Sequence, residues 1–143
     1  MKKLLSLLAL ALISVSVLRA EPFKLTNKGA DELLGALLSV DSGLTAVNTT
    51  IAADNINELR PKIDAYSKGN AAALKRHHVV AGMKTDDPEY LAYLAEFEAN
   101  QDAEITLDLT RMSFTDEELV ASKMKPAVLS VIRKTLKPAA AKK

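Results

Sequence analysis

"TIAADNINELRPKIDAYSKGNAAALKRHHVVAGMK" (residues 50–84) is the longest stretch of this 143-residue chain that keeps one hydrophobic period. Ile56, Leu59, Ile63, Tyr66, Ala73 and His77 recur at spacings of three, four or seven, which places them on one stripe of a helix. The spacing predicts one long helix ending at Gly82, with "GLTAVNTT" (43–50) as the loop before it. Pro61 sits inside the pattern. Proline lacks a backbone donor and crowds the preceding turn, so the helix is expected to kink or restart near Arg60-Pro61.

Upstream, "FKL" (23–25) reads as a very short strand, and Thr26 or Asn27 as a helix cap. Ala30, Leu33, Leu34, Leu37 and Leu38 follow at helical spacing, with Gly43 as the stop. Downstream, "TDDPEYLAYLAEFEANQD" (85–102) carries a strong helix start. Asp86 or Asp87 caps it, Pro88 takes the first turn, and Glu89 meets the positive end of the dipole. Its apolar side is Tyr90, Leu91, Leu94 and Phe97. In "EITLDLT" (104–110), Ile105, Leu107 and Leu109 alternate with polar residues, the period of a strand with one buried face. Such a strand needs a partner, and 23–25 paired with 105–109 is the pairing the sequence offers. Thr115 and Glu118 fit a capping box, and Pro126 opens a last helix with Val128, Leu129, Ile132 and Leu136 on one side. The expected fold is mainly α, four to five helices around one core, with a minimal two-stranded β pairing.

The first twenty residues have another character. Lys2 and Lys3 precede an uncharged apolar run, Leu4 to Leu18, which Arg19, Ala20 and Glu21 end abruptly. That layout is a secretory signal peptide. A helix of that run measures roughly 22 Å, short of a hydrocarbon core of about 30 Å, so an uncleaved inner-membrane anchor is the weaker reading. Cleavage after Ala20 leaves Leu18 at −3, whereas cleavage after Ser16 puts serines at −3 and −1. The domains are therefore a signal peptide (1–20), one helical domain (21–137) and a disordered basic tail (138–143). A periplasmic or secreted bacterial location follows from the leader.

Beyond the leader, 16 basic side chains face 18 acidic ones, a formal charge of −2. With no dense basic patch outside the tail, that balance points away from nucleic acid. The chain has no cysteine, so thiol catalysis, thiolate metal sites and disulfide stapling are excluded. An exported protein of this kind is held by packing alone.

The chemistry-bearing residues have bland readings. His77 and His78 are adjacent and point about 100° apart on a helix, which suits a half-buried and a solvated residue better than a metal pair. Asp86-Asp87 and Glu117-Glu118 sit at helix starts, where acids are favoured. Glu96, Glu98, Asp102 and Glu104 lack the spacing of a calcium loop. Five scattered glycines form no phosphate loop, and no serine sits in a Gly-x-Ser-x-Gly elbow. Asn48-Thr49-Thr50 matches a glycosylation acceptor as a chance triplet. No catalytic residue, metal site or cofactor is assigned. The candidate functional feature is a partner-binding surface at Tyr90, Tyr93 and Phe97.

The order "ELRPKIDAY" (58–66), "DDPEYLAYLAEFEANQDAEITLDLTRMSF" (86–114) and "PAVLSVIRKTL" (126–136) resembles small phage- and prophage-encoded helical proteins of unassigned function. Arg60-Pro61, Phe97, Ile105 to Leu109, and Pro126 to Leu136 carry the likeness, which spans 23–137. That family begins directly at the short strand, so the leader is a departure, and an exported copy could not assemble capsids in the cytoplasm. The resemblance implies a helical fold and brings no catalytic residue. Residues and resemblance together predict a non-enzymatic exported protein that binds a protein partner, of unstated identity, through a helical surface. A periplasmic ligand-binding or chaperone-like protein is the alternative, and a phage-derived accessory protein the second.

Overall fold

The computed structural model describes residues 22–40 and 42–136; the expected signal peptide and basic tail lie outside the described residues. In chain order the elements are β1 (Phe23–Thr26), α1 (Asn27–Leu38), α2 (Ala46–Arg76), α3 (Pro88–Asp102), β2 (Glu104–Leu107), α4 (Asp116–Ala121) and α5 (Pro126–Leu136). The fold is mainly α with a minimal β pair. β1 and β2 run antiparallel, with Phe23 opposite Leu107 and Thr26 opposite Glu104. The ladder begins one residue before the expected 105–109 and ends two residues before it. Leu109 still turns inward (3% exposed), but beyond the ladder.

The helix starts follow their caps. The Thr26 hydroxyl accepts from the Gly29 N–H at 3.0 Å, so Asn27 is the first helical residue and not the cap. Asp87 caps α3, and Pro88 opens it. Thr115 and Glu118 form the expected box at α4.

Four expectations are corrected. α1 stops at Leu38, not Gly43, and Leu38 itself faces solvent. α2 begins at Ala46 rather than after a 43–50 loop, because Thr45 caps it and accepts from the Asn48 N–H at 3.3 Å. α2 ends at Arg76 rather than Gly82, because His78 takes a left-handed conformation (φ 50°). The restart at Pro61 does not occur, and α2 is one element through Pro61 and Gly69. Pro61 lies on the exposed side, as does Asn57, whose carbonyl loses its donor. Buried Leu59 and Ile63 anchor both flanks in the core.

The core joins α1, α2, the strand pair and α5. Ala30, Leu33, Leu34 and Leu37 of α1 meet Ala52, Leu59 and Ile63 of α2, Phe23 and Leu107 of the strands, and Ile132 and Leu136 of α5. Leu33, Leu59, Leu107, Ile132 and Leu136 are essentially inaccessible.

After β2 the chain has no strand neighbour among the described residues, yet part of its backbone is paired across the fold. Asn55, 1% exposed on α2, donates from Nδ2 to the Thr110 carbonyl (2.9 Å) and accepts the Thr110 N–H on Oδ1 (2.8 Å). One side chain thus reproduces a ladder step. The Met112 N–H donates to the Leu136 carbonyl at 3.0 Å, tying the same segment to α5. Asn55→Ala strands both Thr110 groups and is expected to cost about 1–3 kcal/mol in urea unfolding.

Gly43 has φ 82°, and a β-carbon there would lie 2.4 Å from the backbone of Ala121 and Ser122. Alanine at 43 meets both a left-handed strain and a backbone overlap, so Gly43→Ala is expected to lose about 2 kcal/mol or more. A β-carbon on Gly35, inside α1, meets nothing within 4 Å. Gly35→Ala is expected to gain about 0.5–1 kcal/mol. Thermal unfolding of the two variants reads both signs.

Candidate functional site

α2 has 31 residues, so its axis is about 46 Å long. Ile63 is the last residue on it in the main hydrophobic cluster, and beyond it Ala73 is buried as well. The remainder pairs with α3 as a two-helix arm. At its base, the Asn27 amide donates to the Asn100 carbonyl (2.8 Å), and the Asn100 amide to Asn70 Oδ1 (2.6 Å). This amide chain fixes α3 between α1 and α2.

Along the arm, α3 buries none of its residues fully. Two helices without a third layer leave both flanks of their seam open. Tyr90, Tyr93, Leu94 and Phe97 are half-buried. Tyr90 and Tyr93 have centroids 6.3 Å apart, and Tyr93 stacks on Phe97 at 5.8 Å. Three residues expected to form a surface are thus one continuous aromatic row. Leu91, expected on the same apolar side, is instead 50% exposed, and Val80 in the turn is 65% exposed.

Near the tip, His77 is half-buried and His78 exposed. His77 Nε2 lies 2.8 Å from Glu96 Oε2, and Nδ1 lies 3.8 Å from Glu89 Oε2. Arg76 also pairs with Glu96. The Arg76 and His77 hydrogen bonds hold the Glu96 carboxyl below its ordinary range. Among the described residues, no group of three His, Asp or Glu side chains could hold a metal ion. Glu98, Asp102 and Glu104 are exposed, so Glu96 alone of that acidic run is drawn into the arm. The sequence carries no local signal for this cluster, because its members come from two helices across a turn.

A second polar cluster lies at the opposite end of α2. Glu118 does more than complete its capping box. Buried at 4% exposure, it accepts from the Thr45 N–H (2.7 Å), from the Asn48 amide (2.9 and 3.0 Å) and from the Thr115 N–H (3.1 Å). The Thr45 hydroxyl and N–H, then the Asn48 amide, pull its pKa down to about 2 against the cost of burial. The Asn48 amide also donates to the Ser113 carbonyl at 2.8 Å. The nitrogen a glycan would need is therefore inside the protein. Glu117, beside it, is lowered by its own backbone N–H and by Thr115. Asp87 is spent on its cap. Asp87 and Glu118 thus both serve helix starts.

Between α1 and α2, Leu37, Val40, Leu44, Ala52, Ala53 and Ile56 line a groove of about 260 Å³. Small-molecule sites span roughly 300–1,000 Å³ and enclose their ligand. This one is small and open to solvent. Among the described residues no helix is long and apolar enough to cross a membrane.

Compared with protein-family models, curated proteins and solved structures, the chain has no significant match.

Glu118 generates a pH prediction. Its folded pKa, about 2, lies below the ordinary 4.5. Its contribution to stability is present above about pH 4.5 and is lost as pH falls toward 2. Glu118→Gln, which sets an amide donor against the Thr45 and Asn48 donors, should lower the unfolding midpoint at pH 7 and flatten the acid limb. Thermal melts from pH 2 to 7 measure both effects.

Proposed function

We propose that this chain is a non-enzymatic exported protein that works in the bacterial periplasm or envelope by presenting the α2–α3 arm to a protein partner. The aromatic row carries the reading. Tyr90, Tyr93 and Phe97 lie on a helix with no fully buried residue, so their faces are half covered. Leu91 and Val80 add exposed apolar area to the arm. Half-covered aromatic rings gain more from a partner than any other side chains on the arm, because they bring large area at low entropy cost. The leader at 1–20 is the reason for the location, and the resemblance of the segment order to phage-encoded helical proteins is the reason for reading a phage-derived accessory protein at the host envelope as one form of it.

The groove lined by Leu37, Val40, Leu44, Ala52 and Ile56 favours the second reading, a ligand-binding or chaperone-like protein. Its small volume ranks it below the arm.

Two measurements test the proposal. Intact mass of the protein from fractionated cells should show a periplasmic product starting near Glu21 or Val17. A full-length soluble product removes the export argument. A photo-crosslinking residue at Leu91 should then give a discrete protein adduct that Tyr93→Ala weakens at least about tenfold, as expected for an aromatic anchor. The same residue at Glu117, outside the arm, should give none. Equal labelling from both sites defeats the arm as the docking surface.

A further inference from the structure

We propose that the end of the fold opposite the arm is a docking surface for an anionic lipid bilayer, made by Leu38, Val47, Val120, Lys123 and Lys125. The exposed large hydrophobic side chains among the described residues fall into two groups. Leu74, Val80 and Leu91 belong to the arm. Leu38 (52% exposed), Val47 (68%) and Val120 (79%) come from the end of α1, the first turn of α2 and the end of α4. The fold brings these three elements to one place. A β-carbon on Gly43, between α1 and α2, would lie 2.4 Å from the backbone of Ala121 and Ser122, and the Thr45 N–H donates to Glu118 at 2.7 Å. None of the three side chains packs against the core.

The charge at that end is segregated. All 18 acidic residues of the chain precede residue 119, and the 25 residues from there on carry seven basic ones. Two of these, Lys123 and Lys125, are exposed between α4 and α5, just after Val120. Neither has an ion-pair partner among the described residues. They stand before the start of α5, at the positive end of its dipole, so the helix gains nothing from them. With Ser39, Ser42 and Ser122 they line a recess of about 370 Å³. Ser39 and Ser122 spend their hydroxyl hydrogens on the Gly35 and Leu119 carbonyls, which leaves Ser42 and the two ammonium groups to donate to a phosphate. The acidic residue on the same side of α4 as Val120 is Asp116, one turn earlier. Exposed aliphatic side chains beside unpaired lysines suit the bilayer boundary, where the apolar groups enter the headgroup layer and the cations meet its phosphates. The patch holds no aromatic ring, which suits it less well to a protein partner than the arm. Docked in this way, the chain keeps the arm at the far end of α2, about 46 Å away, for its partner. That consequence rests on the proposed function; the lipid surface itself does not.

The test uses residues 21–143, which contain the whole described core, so that the apolar leader does not itself bind lipid. The chain has no cysteine, so Val120→Cys or Leu91→Cys places an environment-sensitive fluorophore at one end alone. Vesicles of phosphatidylcholine with about one third phosphatidylglycerol should shift the emission at position 120 to the blue and leave position 91 unchanged. Pure phosphatidylcholine vesicles should bind at least about tenfold more weakly, and Lys123→Gln with Lys125→Gln should lose a similar factor. Leu38→Ser with Val120→Ser should weaken binding to both kinds of vesicle. All four replaced side chains face solvent, so the unfolding midpoint should stay where it is. Equal binding to both vesicles, binding that survives the lysine replacements, or an equal shift at position 91 overturns the proposal. A blue shift at position 120 without vesicles marks a second copy on the surface and overturns it too. Equal competition by duplex DNA does the same, because it marks a general polyanion site. None of these outcomes depends on whether a protein binds the arm.

Discussion

A four-residue ladder ties the start of the described chain to the segment that follows α3. Phe23–Thr26 pairs with Glu104–Leu107, and the Asn27 N–H continues the contact to the Ala103 carbonyl at 3.0 Å. α1 leaves β1 at the very point where α3 enters β2. Those two helices must therefore lie side by side, and the Asn27–Asn100–Asn70 amide chain is the result. A two-stranded ribbon is marginal on its own. Here it is carried by burial of Phe23 and Leu107 and by the Arg111 guanidinium 4.6 Å above the Phe23 ring.

α2 is then the spine to which α1, α3 and the segment after β2 are tied. It offers two buried polar side chains, Asn48 and Asn55, on the same face as Ala52 and Leu59. Each binds backbone that has no regular partner: Asn48 at Ser113, Asn55 at Thr110. Glu118 closes the arrangement by joining the starts of α2 and α4. Buried polar groups are costly when alone. Among the described residues no buried side-chain nitrogen or oxygen lacks a partner. The long irregular stretch from Asp108 to Phe114 is thereby tied to α2 and α5 at Thr110, Met112 and Ser113.

The same spine explains the arm. A helix of 31 residues outruns a core of this size, and its second half meets α3 without a third layer. Aromatic rings that a larger core would cover are left half open. The polar tip follows from the same geometry. Arg76 and His77 have left the core and take their partners from Glu89 and Glu96. An exposed ion pair is weak, so these contacts add little to what holds the fold.

Local physics determined much of this from the sequence alone. Period 3.6 placed the helices, period 2 placed β2, and Thr26, Asp87, Thr115 and Pro126 marked helix starts, because caps and periodicity act over one or two turns. The aromatic row at 90, 93 and 97 was legible for the same reason. Tertiary structure decided what depends on distant neighbours. Pro61 does not break α2, because the core grips both flanks and the orphaned carbonyl of Asn57 faces water. Gly43 is not a helix stop but a close approach to Ala121 and Ser122. Asn48, Asn55 and Glu118 look like surface polar residues in sequence, and only packing reveals them as buried junctions. The His77–Glu89–Glu96 cluster appears only when α3 folds back along α2. Hydrogen bonds between groups far apart in the chain leave no periodic trace, so only the folded arrangement displays them.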